Sequence, residues 1–134
     1  MNIIQATNKD IDILSVLHRE TLPELKWSYN KKYIAGTIRN KTRYLLKMRN
    51  ETVGAIHFYH QKRDLFINTI AIFKKYQGKG YGKKLMKFAI RYAKQFNYKE
   101  ISLCALREPL LSFYKVMGYK QEGVFRVEFR KKLC

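Results

Sequence analysis

One stretch of the chain carries residue types and a spacing suited to binding chemistry. It runs Ile70-Ala71-Ile72-Phe73-Lys74-Lys75-Tyr76-Gln77-Gly78-Lys79-Gly80-Tyr81-Gly82-Lys83-Lys84-Leu85. An apolar, β-favouring run passes into a basic, glycine-rich turn, and a helical pattern follows. Such a turn exposes backbone N–H groups at a helix N-terminus, where the helix dipole favours negative charge. Glycine allows positive φ and close approach of a ligand to the backbone. The chemistry is that of a phosphate cradle. The P-loop spacing is absent, because the position five residues after Gly78 is Lys83. Gly78 and Gly80 would open a dinucleotide fingerprint, but its third glycine position is Lys83, and no ribose-binding acid follows at the usual distance. The spacing that remains is Gln77-x-x-Gly80-x-Gly82; the plain alternative is an ordinary glycine-rich strand-to-helix turn.

The elements that must position this turn can be read in order. Asn2 to Ala6 is a short β-like run, and Thr7-x-x-Asp10 has the form of a capping box with Asp in place of Glu. Ile11, Leu14, Leu17 and Thr21/Leu22 give a helical stripe that stops at Pro23. Glu24 to Tyr29 reads as a loop, and Ser28 as the cap of a second helix through Tyr33, Ile34, Thr37 and Ile38. Three β-like runs follow, Arg43–Met48, Thr52–His60 and Leu65–Phe73, with gaps short enough for hairpins. The third run is apolar almost throughout, so it belongs at the centre of a sheet. Asn68 and Thr69 interrupt it, and a buried Asn there must find partners.

After the glycine turn, Tyr81, Leu85, Phe88/Ala89, Tyr92 and Phe96 fall at helical spacing, and the helix should reach about Asn97. Lys99–Leu106 is a new strand, parallel to the third run because a helix connects them. Pro109 opens a late helix that Gly118 ends. Tyr119–Gln121 and Val124–Leu133 close the chain as strands; Phe125, Val127 and Phe129 alternate with Arg126, Glu128 and Arg130 in a pattern with one buried face. No internal repeat, linker or low-complexity tract is visible, and the expected organisation is one domain over residues 1–134.

Gln77-x-x-Gly80-x-Gly82 resembles the acetyl-CoA pyrophosphate loop of the GCN5-related N-acetyltransferases (GNAT family), whose pattern is Gln/Arg-x-x-Gly-x-Gly/Ala. Leu110-Leu111-Ser112-Phe113-Tyr114-Lys115-Val116-Met117-Gly118-Tyr119 resembles that family's late motif, a helix with Phe/Leu-Tyr-x-x-x-Gly-Phe/Tyr. Two motifs in the right order, each on its expected element, carry more weight than either alone. The match covers roughly residues 42 to 123; the first forty residues agree in element order. The resemblance implies an α/β (α+β) fold, a mixed, mostly antiparallel central sheet of about 6–7 strands flanked by about four helices. Its order is β-α-α-β-β-β-α-β-α-β-β.

The resemblance also implies an acetyl-CoA-dependent N-acetyltransferase, with an amine attacking the thioester directly in a ternary complex. Backbone at Ile70 and Ile72 would pair with pantetheine. The N–H groups of Gln77, Gly78, Lys79, Gly80, Tyr81, Gly82 and Lys83 would hold the pyrophosphate, with Lys79 and Lys83 adding charge. Tyr114 corresponds to the tyrosine that gives a proton to the departing sulfur; the competing assignment is a core tyrosine on an amphipathic helix. The chain departs from the family in two places. Many relatives have an Asn seven residues before the tyrosine, where Arg107 stands here; some have a Glu base twelve residues before it, where Ser102 stands. Asp64, Glu100, Glu108 and His57 are the candidate bases, and the working expectation is that water passes the proton out.

Composition sets the outer bounds. With 134 residues and a Tyr- and Phe-rich apolar fraction, the chain can bury a core. No apolar run approaches the ~20 residues of a membrane span. The N-terminus lacks the features of a signal peptide, which points to the cytoplasm. Cys104 and Cys134 suit neither a disulfide framework nor a zinc site, so no metal is expected. The formal net charge is +18, and from Leu65 to Lys99 nine Lys/Arg occur with no Asp or Glu. This points to a polyanionic partner (RNA, ribosome or acidic protein) unless it reflects a lysine-biased host. The alternative function is therefore a basic nucleic-acid- or ribosome-binding module on an acetyltransferase fold. Among acceptors the charge disfavours polyamines and aminoglycosides and favours a protein or peptide amine. The oligomeric state is open between monomer and homodimer.

Overall fold

A computed structural model describes residues 1–104, 113–122 and 128–132. The strands are β1 (Asn2–Gln5), β2 (Arg43–Met48), β3 (Glu51–His60), β4 (Asp64–Ile72), β5 (Glu100–Cys104), β6 (Lys120–Glu122) and β7 (Glu128–Lys132). The helices are α1 (Ile11–Thr21), α2 (Lys31–Ile38), α3 (Tyr81–Gln95) and α4, described over residues 113–116. By hydrogen bonding the seven strands follow the order β1-β2-β3-β4-β5-β7-β6. This is an α+β fold with a mixed sheet. β1–β2, β2–β3, β5–β7 and β6–β7 are antiparallel, and β4–β5 is parallel as the intervening helix requires.

The chain forms two compact units, Met1–His57 with Thr69–Leu85, and Phe58–Asn68 with Met86–Cys134. In the first, Leu14, Leu17, Ile34, Ile38, Leu45, Ala55 and Ala71 form one apolar cluster. The capping box is present: Asp10 Oδ2 accepts from the Thr7 N–H at 2.8 Å, and the Thr7 hydroxyl faces back to the chain. Ser28 does not cap α2. Asn30 does, accepting from the Tyr33 N–H at 3.0 Å. Ser28 lies buried in a 3-10 turn, Lys26–Tyr29, and donates to the Leu25 carbonyl at 2.6 Å. Asn is an equally good cap, and the four-residue 3-10 turn displaces the helix start.

In the second unit Phe58, Phe88 and Tyr92 stack, with ring centroids 4.6 to 6.2 Å apart. α3 ends in a Schellman turn. Asn97 sits at φ 62°, and the N–H groups of Tyr98 and Asn97 bond the carbonyls of Ala93 and Lys94. α4 ends in the same way at Gly118, φ 93°, with Tyr119 and Gly118 bonded back to Tyr114 and Lys115. The expected alternation at Phe125, Val127 and Phe129 lies outside the described residues or their described side chains, as do Arg107 and Glu108.

Candidate functional site

The glycine turn is built by three local decisions. β4 stops at Ile72, and the Phe73 N–H bonds the Val53 carbonyl at 3.0 Å. Strand alternation then directs the main-chain groups of Ile72 and Ile70 to the opposite edge. A 3-10 turn, Lys74–Tyr76, comes next, held by two carboxylates. Glu20 accepts from the Lys74 N–H at 3.2 Å, and Glu51 pairs with the Lys75 ammonium at 2.6 Å. Glu51, held below the usual carboxylate range by hydrogen bonds from Lys75 and Tyr76, stays ionised. The chain then turns through Gly78 at φ 78° and Gly80 at φ 86° into α3. Positive φ at two positions two apart is what glycine allows and other L residues resist.

α3 begins with the bond from the Lys84 N–H to the Gly80 carbonyl at 3.2 Å. Among the described residues, no N–H from Gly78 to Lys83 has an acceptor. A Cβ added at Gly78 or Gly80 would meet nothing within 4 Å, so the turn is open on its outer side. Six consecutive main-chain donors without acceptors among the described residues, two lysines and the positive end of a 15-residue helix therefore lie in one short stretch. Gln77 stands apart from this run. Its N–H bonds the Lys74 carbonyl at 3.2 Å, and its side-chain amide donates to the Ile72 carbonyl at 2.9 Å. That bond satisfies a carbonyl on the edge that β3 does not use. Lys79 and Lys75 flank the Tyr76 ring, 6.0 and 5.1 Å from its centroid.

Sequence reasoning passed over Gly54 on β3. A Cβ there would lie 2.5 Å from both the Ala71 carbonyl oxygen and Ile72 Cδ1. The missing side chain lets β3 lie close against the end of β4 that feeds the turn. A lone glycine inside a β-branched run was the available signal.

Tyr114 lies in the second unit, 3% exposed, between Phe113 and Tyr119 with centroids 5.4 and 6.2 Å away. Burial pushes its phenol up to about 12, so the proton stays on at neutral pH. Ser102, where some relatives carry a base, donates its hydroxyl to the buried Asp64 carboxylate. Asp64 and Glu100 are register partners at the start of β4 and β5. Asp64 is six residues along β4 from Ile70, about 20 Å. His57 is buried and lowered to about 2, first by desolvation and then by Arg43 and His18. It cannot collect a proton near neutrality. Arg43 is itself buried; its Nε donates to Thr37 Oγ1 at 2.6 Å, and its Nη1 lies 3.4 Å from His18 Nε2. Among the described residues no cluster of His, Cys, Asp or Glu is suited to a metal ion, and no helix is long and apolar enough to cross a membrane.

The sequence profile of the acetyltransferase (GNAT) family matches residues 11–119. The chain is similar to PaiA N-acetyltransferase from Thermoplasma acidophilum, solved with coenzyme A: TM-score 0.88, 20% identity, 98% of each chain covered. It is similar to Ard1 from Thermoplasma volcanium, with TM-score 0.84 and 16% identity over 99% of this chain and 97% of that one. It is also similar to a GNAT acetyltransferase from Elizabethkingia anophelis with acetyl-CoA bound, with TM-score 0.79 and 20% identity over 98% and 97%. No curated protein sequence matches. These structural likenesses concern the fold; the profile match spans most of the chain, and the chain belongs to the GNAT acetyltransferase family.

Proposed function

We propose that the chain moves an acetyl group from acetyl-CoA to a primary amine, with a protein or peptide amine as acceptor, by direct attack in a ternary complex. The observation that carries this reading is the run of unaccepted amides from Gly78 to Lys83 at the head of α3. These donors, with the Lys79 and Lys83 ammoniums, match a diphosphate in charge and in hydrogen-bonding capacity. The open outer side of Gly78 and Gly80 admits it. Coenzyme A and acetyl-CoA in the Thermoplasma acidophilum and Elizabethkingia structures support the same assignment.

Acetyl-CoA supplies an activated thioester. Gln77 shapes the entry to the turn through its side chain, since its own N–H is already bonded. The main chain of Ile70 and the N–H of Ile72 are the strand groups suited to pair with pantetheine, because the Ile72 carbonyl is held by Gln77. Tyr114, protonated at neutral pH, donates to the sulfur as it leaves. Of the candidate bases, His57 is lowered too far to take a proton, and Asp64 and Glu100 stand at the start of their strands, which supports a reading without a dedicated base. Water takes the ammonium proton outward.

The test is a thiol-release assay with acetyl-CoA against a panel of peptides and small amines, repeated with Tyr114→Phe. A general acid contributes about 10²–10⁴-fold, so the variant should lose at least 100-fold in kcat with acetyl-CoA binding retained. A chain whose Tm does not rise with acetyl-CoA, and which releases no thiol with any amine, would remove the assignment.

A further inference from the structure

The Phe58–Asn68 and Met86–Cys134 unit carries a surface that acetyl transfer does not use. On α3, Lys87, Arg91 and Lys94 are exposed. At 100° per residue they fall within about 60° of the helix circumference, spaced roughly 6 and 4.5 Å along its axis. The helix runs out at the Asn97 turn, which leaves Phe96 50% exposed, with its ring against Tyr92 and His60 at centroid distances of 4.7 and 5.5 Å. Directly beyond is an open cleft of about 1180 Å³ lined by Phe96 and Tyr98 and by the cations Lys62, Arg63 and Lys99. Among the described residues none of these six cations has a carboxylate partner. Two acids, Asp64 and Glu100, also line the cleft. Asp64 is buried and accepts from Ser102, and its charge still reaches the Tyr98 phenol, which burial first and Asp64 second hold above its ordinary value.

A row of unpaired cations alone would suit any polyanion. Rings set among the cations narrow the choice. Phosphate contacts of a duplex leave its bases stacked on one another, and an acidic peptide has no flat face to offer. A single strand presents both phosphates and unstacked bases, and bases stack on exposed aromatic side chains. Among single strands, RNA loops and ends are the stable cellular form. We propose that this face, from Lys87 along α3 to Phe96, Tyr98 and the Lys62-Arg63 turn, is a docking surface for single-stranded RNA. It begins one helical turn after Lys83 on α3 and uses none of the Gly78–Lys83 donors, so it stands whether or not those hold acetyl-CoA.

Fluorescence anisotropy of a labelled twelve-nucleotide single-stranded RNA on the full chain tests it. Engagement of four to six phosphates gives a log K against log salt slope of about −3 to −4. Lys87→Gln/Arg91→Gln/Lys94→Gln should weaken binding and reduce that slope by about 2. Phe96→Leu keeps an apolar side chain against Tyr92 and His60 but loses the π face; it should weaken binding about 5- to 100-fold with the slope unchanged and Tm lowered by only a few degrees. Phe96→Trp should bind at least as tightly as the parent. Saturating acetyl-CoA should leave the anisotropy unchanged. The proposal is overturned by equal affinity for a duplex of the same length, by equal competition from polyglutamate, by Phe96→Leu binding like the parent, or by displacement with acetyl-CoA.

Discussion

His18, Arg43 and His57 illustrate how burial sets the behaviour of single residues. Arg43 is a buried guanidinium whose donors face Thr37 Oγ1 and His18 Nε2, so the nearby imidazoles are held neutral. His18 is lowered to about 3 and His57 to about 2, by desolvation first and the Arg43 charge second. Unfolding returns each to the ordinary histidine value near 6.5. The unfolded chain therefore binds more protons below that pH, and stability falls as pH drops from about 6.5 toward 3. Each histidine contributes a slope of up to about 1.4 kcal/mol per pH unit. Urea unfolding between pH 8 and 4 should be flat above pH 7 and decline below 6.5, and His57→Gln should flatten the decline by roughly half. Tyr114 behaves in the opposite sense. With its phenol near 12, kcat should not fall between pH 8 and 10 through loss of its proton, whereas a tyrosine at its ordinary value would begin to titrate there. A pH profile of kcat under saturating acetyl-CoA checks this.

The elements owe their ends to a few residues, and the turn of the site depends on two of them. Gly78 and Gly80 sit at positive φ with open space beside them, so alanine there meets only a backbone penalty of about 1–2 kcal/mol. Gly80→Ala should leave the fold standing and weaken acetyl-CoA binding about tenfold by calorimetry. Gly54 differs, because its missing Cβ is a matter of contact. The added methyl would press on the Ala71 carbonyl, a backbone atom that cannot rotate away. Overpacking of this sort costs about 1–3 kcal/mol. Gly54→Ala should therefore lower Tm by several degrees in a thermal melt, and Gly80→Ala, which meets only the backbone penalty, by a few. Most strand and helix limits were readable from pattern: β2 falls at Arg43–Met48 as expected, and β3 and β4 each begin one residue earlier. The α2 cap and the 3-10 turn before it were not readable, because Ser28 and Asn30 are both competent caps and only packing chooses between them.

At the scale of the molecule the dominant quantity is a net charge of +18. Like charges repel across a folded surface, and salt screens them within about 10 Å at 0.1 M. Raising NaCl from 50 to 500 mM should raise Tm by a few degrees while weakening acetyl-CoA binding, two opposite trends measured on one sample by melting with and without the ligand. An ordinary near-neutral domain would show the second trend alone. The charge is also unevenly placed. Glu51 and Glu20 hold the turn before the Gly78–Lys83 amides, while α3 and the Lys62-Arg63 turn carry cations without carboxylate partners among the described residues.

The order of helices and strands, the glycine turn and the closing Gly118 were legible in the residues alone, because hydrophobic period and backbone φ are local properties. The family followed from two short motifs for the same reason: each is a contiguous run of residue types at fixed spacing. What only the tertiary structure decided depends on neighbours far apart in the chain. It made His57 too acidic to be a base, gave Gln77 the Ile72 carbonyl, made Gly54 a contact, and left Phe96 exposed beside Lys62 and Arg63. Burial, register and desolvation are set by what packs against a residue, and no spacing along the chain encodes them directly.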